Sequence, residues 1–373
     1  MKILLLGDYS NLHNTLGGAL TAMGHDVTVI SEGSGWQDTR RDIDIRRRPG
    51  RLGGALLAAR LWGPLHRHLR GYDIVSLQNP HFLTLKPSRL RWFFDRLRRD
   101  NGAVFLSAAG TDEVYIREAF NPRSPLRYNE YRIGDAPAPL TLADSETLAR
   151  WRTPEMEAYA DYFYDHIDGA VSALYEYDVA LRARLEPERV AYGGIPIDLN
   201  MLPFRPIDPS TPQVRLFLGR HRERMVEKGT DLLETAARRV ADASAGRVTL
   251  NIVENLPFSQ YKDTMVDSHI LLDQVYSYTP ATNALMAMAR GLNVVTGGED
   301  DYYRFIGERD NRPIINAPVD VDELTETLRA VCADTAAMAR RGAASRAFVE
   351  KHNAADVVAR RYLDFWTQKL NEK

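Results

Sequence analysis

The sequence predicts an α/β protein built from two doubly wound domains. Apolar segments alternate with amphipathic helical ones almost throughout, the pattern of parallel sheets covered by helices. A chain of 373 residues, 44% hydrophobic and 26% charged, is long for one domain and sufficient for two. A proline-rich stretch with Pro196, Pro203, Pro206, Pro209 and Pro212 divides two such series. Five prolines that close together make poor helix or strand interior, so this stretch reads as a linker.

The first series starts at Lys2–Gly7, continuously apolar and followed by a loop of Gly, Asp and Ser, as in a buried parallel strand. Ser10 or Asn11 is placed to cap a helix that stops at Gly24. Asp26–Ser31, Asp73–Leu77, Ala103–Ser107 and Gly169–Ala173 repeat the strand pattern. Beyond the linker, Val214–Gly219, Val248–Val253, Ile270–Leu272 and Asn293–Thr296 read as strands. Asp231–Val240 between them is a helix with one apolar face. The boundaries expected are 1–203 for the first domain, 204–352 for the second, and 353–373 for a terminal helix packing back across the junction. Ligands of open α/β sheets sit beyond the carboxyl ends of the strands, so a cleft between the domains is the expected site.

Cys332 is the single cysteine, which excludes an intramolecular disulfide and a CxxC metal site and suits a reducing cytosol. The opening MKILLLG is too short in its apolar part for a signal sequence, and no apolar run is long enough to span a bilayer. The expectation is a cytoplasmic protein that touches a membrane at most from its inner face. A net charge of −2 argues against nucleic acid as partner, yet it averages two unlike regions. Between Arg40 and Arg99 there are 15 Lys+Arg against 4 Asp+Glu, an asymmetry that points to an anionic partner. Within it, Leu90, Phe93, Phe94 and Leu97 recur at helical spacing among arginines. That segment is either an interfacial helix on anionic lipid or an ordinary helix packing its aromatics on the sheet.

Two stretches carry candidate chemistry. In QVYSYTPATNALMAMARG, Thr279 suits an N-cap, Pro280 the first helical position and Gly291 the C-terminal left-handed position. The first-turn amides near Ala281, Thr282 and Asn283 would then form an anion site, with a diphosphate the obvious anion. In LFLGRHRERMVEKGTDLL, a strand ends at Gly219 and is followed by Arg220, His221, Arg222, Arg224 and Lys228. Cations at that position suit an oxyanion; otherwise they form a solvated basic loop. Asp112, beyond a buried strand, is either a base for an acceptor hydroxyl or the N-cap of a helix near Glu113. His13 reads as an acceptor or phosphate contact or as a capping group, and Glu254 as a nucleotide contact or a loop carboxylate. A dinucleotide-dependent oxidoreductase is disfavoured, because the G-x-G-x-x-G it needs is replaced by Gly7-Asp8-Tyr9-Ser10-Asn11-Leu12. The Asp42-Ile43-Asp44 and Asp320-Val321-Asp322 triplets read as a polar loop and a helix cap rather than as metal sites.

Together these stretches resemble the donor domain of GT-B-fold glycosyltransferases, in particular glycosyltransferase family 4. Gly219-Arg220 and Lys228-Gly229 match the family's Gly-Arg and Lys-Gly pairs; Met286–Val295 resembles its EAMACGxPVV helix, and Gly298-Glu299 its GG-x-x-E segment. Val190–Leu199 resembles the loop that usually reads NGID, and the first βαβ pattern that of the family's N-terminal domain. The family's two glutamates, eight residues apart, correspond here to Tyr278 and Met286, and Ala109 replaces the histidine of its H-G-T-D segment. Asp273, Tyr276, Tyr278 and Asn283 are then the candidates to take over sugar recognition.

The resemblance implies a GT-B fold, two Rossmann-like domains facing a central cleft. It implies transfer of a sugar from a UDP- or GDP-sugar to a glycan or lipid-linked acceptor, metal-independent and with retention of configuration. Asp112, Arg220 and Lys228 are the expected catalytic residues. Gly219, Arg224, Glu254, Tyr278, Ala281, Thr282, Asn283 and Met286 are expected to bind the donor, and Ser10, Asn11 and His13 to face the acceptor. A non-catalytic protein of the same fold, binding glycan or nucleotide, is the alternative.

Overall fold

The computed structural model describes residues 1–142, 146–220, 222–254, 256 and 258–373. Two sheets, each wholly parallel, organise it. The first takes β1 (Lys2–Leu6), β2 (Asp26–Ser31), β3 (Ile43–Asp44), β4 (Ile74–Leu77), β5 (Ala103–Ala108), β8 (Gly169–Ser172) and β9 (Val190–Tyr192) in the order β3-β2-β1-β4-β5-β8-β9. Strands β6 (Arg132–Ile133) and β7 (Ala136–Pro137) form a separate antiparallel hairpin. The second sheet takes β10 (Val214–Arg220), β11 (Val248–Glu254), β12 (Ile270–Leu272), β13 (Asn293–Thr296) and β14 (Ile315–Asn316) in the order β11-β10-β12-β13-β14.

The helices of the first half are α1 (Leu12–Ala22), α2 (Gly50–Trp62), α3 (Pro87–Asp100), α4 (Glu113–Ala119), α5 (Pro139–Leu142), α6 (Glu146–Trp151), α7 (Pro154–His166) and α8 (Tyr175–Arg184). Those that follow are α9 (Met225–Lys228), α10 (Thr230–Ala243), α11 (Phe258–Thr264), α12 (Thr282–Arg290), α13 (Asp300–Phe305), α14 (Val321–Ala333), α15 (Thr335–His352) and α16 (Ala355–Asn371).

The chain forms two compact units, and neither is contiguous. The first comprises Met1–Asn121, Ser145–Pro196 and Ala355–Lys373; the second comprises Pro122–Asp144 and Ile197–Ala354. A single boundary at 203/204 therefore does not describe the division. The proline-rich stretch is no free tether either. Ile197 N–H donates to Asn353 O and Arg205 N–H to Arg290 O, and Ile207 is buried in the core of the second unit.

In the first unit, strand residues Ile3–Leu6, Ile74–Leu77 and Val104–Leu106 are fully buried, as a sheet covered on both faces requires. Helix α16 closes one part of that cover: Phe365 and Trp366 meet Phe105 at ring distances of 5.9 and 6.0 Å. Gly193, just after β9, permits it, since a Cβ there would fall 2.3 Å from the Tyr362 ring. The α3 aromatics settle one open reading: Leu90, Phe93, Phe94 and Leu97 are all buried, with Phe94 against Phe163 of α7 at 4.7 Å. Helix α3 is an ordinary covering helix.

Candidate functional site

The donor-side residues lie in the second unit, around the carboxyl ends of β10, β11, β12 and β13. Strand β10 ends in Gly219-Arg220 and its neighbour β12 leads into Asp273. Asp273 is buried; it accepts from Asn283 Nδ2 at 3.1 Å and Thr296 Oγ1 at 3.4 Å, and Lys228 Nζ lies 3.9 Å away. Tyr261 OH donates to Asn283 Oδ1 at 3.1 Å, and its ring lies over Gly219, where a Cβ would fall 2.3 Å from the hydroxyl. The glycine thus makes room for the tyrosine that orients Asn283.

The Lys-Gly pair acts through the backbone. Gly229, at φ +65°, ends α9 and begins α10 in one left-handed residue, a conformation that β-carbons disfavour. The Lys228 carbonyl accepts from Val275 N–H at 2.8 Å, and a Cβ on Gly229 would fall 2.9 Å from Val275 Cβ. The turn is thereby clamped to the loop after β12, which sets Lys228 beside Asp273. Lys228 retains 28% side-chain exposure.

Helix α12 begins two residues later than the sequence suggests. Thr279 is buried upstream of it, and Ala281, in extended conformation, is the N-cap residue with no side-chain cap. Pro280 therefore precedes the helix, and the first turn starts at Thr282-Asn283. An uncapped N-terminus beside a lysine concentrates positive potential. Met286, partly exposed on the same helix, is apolar and offers no polar contact.

The arginines are committed elsewhere. Arg220, partly buried, pairs with Glu234 and with Glu254; Glu254 also accepts from Arg222 Nε at 3.1 Å. Arg224 pairs with Glu227, its Nε 3.0 Å from the carboxylate. The described arginines of the loop are thus paired with Glu227 of the loop itself, Glu234 of α10 and Glu254 of β11, and Lys228 stands at the α12 side of the site, beside Asp273. His221, Asn255 and Pro257 lie outside the described residues.

Tyr278 is the strongest departure from expectation. It is fully buried, and Tyr128 stacks on it at 4.8 Å and 27°. Its hydroxyl accepts from the Arg127 N–H, and burial pushes its pKa up to about 12. Arg127 in turn pairs with Glu299 and, at 3.0 Å, with Asp301; Tyr128 OH donates to Glu299 at 2.8 Å, and Asn316 Nδ2 reaches the same carboxylate. Residues 122–142 thus pack on the loops after β12 and β13. Sequence reasoning missed this segment, although Ile133-Gly134-Asp135-Ala136 is a hairpin signal, with Gly134 at φ +58°.

The acceptor-side residues lie in the first unit. Asn11 occupies the N-cap position of α1 in left-handed conformation without a side-chain cap, and Ser10 is left-handed as well. The capping role falls instead to Asp8: its carboxylate accepts from His13 N–H at 2.9 Å, from Asn14 N–H and from Thr39 OH at 2.6 Å. That internal carboxylate fills the positive end of α1, so a phosphate contact by His13 does not fit. His13 is fully buried, its Nδ1 2.7 Å from Gly7 O, and burial holds its pKa down to about 4. Asp112 is the N-cap of α4, accepting from Tyr115 N–H at 2.8 Å and from the Tyr164 hydroxyl. Burial raises its pKa to about 6, but both oxygens are engaged, so it is a structural cap rather than an open base. Asp42 accepts from Val29 N–H, Asp320 caps α14, and Asp322 pairs with Arg239.

No family model matches the chain, and no curated protein matches it in sequence. Solved structures do match along its whole length. Sucrose-phosphate synthase from Thermosynechococcus elongatus aligns with a TM-score of 0.65 at 15% identity, covering 100% of both chains. HepE of Anabaena in complex with UDP-glucose aligns at 0.61 and 14% identity, over 99% of this chain and 100% of the other. WaaG, a glycosyltransferase involved in lipopolysaccharide biosynthesis, gives 0.57 and 15% over 96% and 98%. A Listeria monocytogenes protein described as a UDP-N-acetylglucosamine 2-epimerase gives 0.57 and 14% over 100% and 96%. The fold is therefore GT-B. Among the described residues no helix is long and apolar enough to cross a membrane.

Proposed function

We propose that this protein is a glycosyltransferase that moves a sugar, a hexose by preference, from a UDP-sugar to a glycan or lipid-linked acceptor. The observation that carries the reading is that one carboxylate, Asp273, holds both Lys228 and Asn283 of the uncapped first turn of α12 at the carboxyl edge of a parallel sheet. The likeness to HepE, a structure holding UDP-glucose, supports UDP as the nucleotide.

In this reading the donor's diphosphate sits against the amides of Thr282 and Asn283 and the Lys228 ammonium. Both stabilise the negative charge that develops on the departing nucleotide, which is electrostatic catalysis by a preorganised site. That arrangement supplies the positive charge a divalent cation would otherwise bring, which supports transfer without a metal. Asp273 holds Lys228 and Asn283 in place. Arg220, between Glu234 and Glu254, is assigned a positioning role: it orients Glu254 at the end of β11, where a carboxylate suits ribose hydroxyls. Retention of configuration and a polysaccharide or glycolipid product follow from the resemblance to family 4.

The likeness to an epimerase supports a second reading, chemistry confined to the nucleotide sugar. Incubation with UDP-[14C]glucose and a lipid or glycan acceptor fraction separates the two. Label appearing in acceptor with stoichiometric UDP release supports transfer, and the anomeric proton coupling of the product reads the stereochemistry. Label retained wholly in an isomerised nucleotide sugar would overturn it. Persistence of transfer in excess chelator tests metal independence.

A further inference from the structure

The basic region of the first unit presents an apolar face that the described residues leave exposed. Helix α2 buries Gly53, Leu57, Ala58 and Leu61, yet its opposite side exposes Leu52 (81%), Ala55, Leu56 (52%), Ala59 and Trp62 (57%). Exposed positions 52, 55, 56, 59 and 62 form one stripe at helical spacing. A helix apolar on both sides is unusual at a water-facing surface, since only one side is needed for the core.

The surroundings of this stripe say what covers it. Trp62 stacks on Trp92 of α3 at 4.3 Å and 11°, and the Arg96 guanidinium lies 5.3 Å from the Trp92 ring. Arg96 lines an open pocket of about 560 Å³ together with Arg67, Arg70, Arg99, His66 and Asp100. Asp100 pairs with Arg99 at 2.8 Å and with Arg96 at 3.4 Å. Among the described residues no carboxylate pairs with Arg67 or Arg70, so the pocket keeps a positive excess. Gly71 and Asp100 place it at the amino ends of β4 and β5, the opposite edge of the sheet from the carboxyl ends where Asp8 caps α1. Arg51 and Arg60 of α2 are also exposed, as is Arg48 just before it.

We propose that this face docks on an anionic bilayer: the α2 stripe seats at the level of the acyl-chain boundary, and the Arg67/Arg70/Arg96/Arg99 pocket takes a lipid phosphate. Apolar side chains ringed by arginines suit that boundary, where burial of leucine and tryptophan adds to attraction by anionic headgroups. A second copy of the chain would bring its own arginines to the same face and repel. A soluble phosphate would fill the pocket and leave the stripe wet. The inference stands on a different surface from the donor site and goes beyond the transferase reading.

The test is co-sedimentation of the full chain with vesicles of phosphatidylcholine alone and of equimolar phosphatidylcholine and phosphatidylglycerol. Binding is expected only to the second, weakening with salt. Each of Leu52→Glu/Leu56→Glu and Arg67→Glu/Arg70→Glu should lower partitioning by roughly tenfold or more. Trp62 emission, read as the difference from Trp62→Phe, should shift to the blue on the anionic vesicles. UDP binding, measured in parallel, should be unchanged in these variants, which separates this surface from the donor site. Three results would overturn the proposal: equal binding to both vesicles, binding that survives both double variants, or inositol hexakisphosphate binding without vesicle binding. A dimer in sedimentation velocity that Leu56→Glu dissolves would assign the stripe to a second copy instead.

Discussion

Tyr128 lies stacked on Tyr278, two residues 150 positions apart in sequence, with the Arg127 N–H donating to the Tyr278 hydroxyl. A segment from the first half of the chain is thereby part of the second unit, and it covers Tyr278.

Removing that cover should loosen the second unit and expose Tyr278. Tyr128→Ala takes away a buried aromatic and its hydrogen bond to Glu299, for which about 3 kcal/mol is the expected loss in urea unfolding. Tyr128→Phe, which keeps the ring, should cost about 1 kcal/mol. Equal losses from both variants would show that the stacking contributes nothing.

Lys228→Ala is expected to weaken UDP binding about tenfold or more in calorimetric titration, because it removes the charge beside the α12 amides. Lys228→Arg should recover part of the affinity and none of the geometry. Arg220→Ala, already paired with two carboxylates in the wild type, should weaken binding less than Lys228→Ala. The reverse ranking would return the diphosphate to Arg220.

Gly229→Ala should be costly for two reasons that act together: a left-handed backbone and a Cβ 2.9 Å from Val275. A loss of roughly 1–2 kcal/mol in stability is expected from the backbone alone. UDP affinity should fall as well, since the turn places Lys228. Unchanged affinity in a destabilised variant would mean that the turn is structural only.

Two buried groups of the first unit have opposing pH dependences. Asp112 rises from 3.8 to about 6 in the folded state, so its contribution is present below pH 3.8 and lost as pH rises through 6. His13 falls from 6.5 to about 4, so its contribution is present above pH 6.5 and lost as pH falls through 4. Each amounts to roughly 3 kcal/mol, and between pH 4 and 6 they nearly cancel. Asp112→Asn should therefore make stability fall steeply with acidification in that window, and His13→Gln should make it fall with rising pH. Urea midpoints across the range decide the matter; parallel profiles for wild type and both variants would contradict the assignment.

The parallel strands were legible because each is a short apolar run: Val248–Val253 and Ile270–Leu272 matched β11 and β12 within a residue. The two-residue strands β3 and β14 were not, since so short a pairing exists only by docking on a neighbour. At the site, Lys228 and Asn283 meet at Asp273, and Gly219 lies under the Tyr261 ring that reaches Asn283. The swap of Thr279 for Ala281 at the α12 cap was hidden, because cap preference is local whereas Thr279 is held in the buried interior. The partners of Arg220 and the Arg127–Glu299 pair lie 14 to 172 residues away, beyond the reach of spacing rules. The outward stripe of α2 is not legible in sequence, because its composition is that of any buried helix; only exposure of one side distinguishes it.

The chain passes between its two units four times, at 121/122, 144/145, 196/197 and 354/355. A gene bisected within the proline-rich stretch would therefore not yield two autonomous halves. The upstream product would carry Tyr128 with nothing to stack on and would lack the helix that seals Phe105. The downstream product would bear an orphaned α16 and an uncovered Tyr278. Autonomous fragments call for circular rearrangement, with 122–144 grafted onto the second piece and 355–373 onto the first.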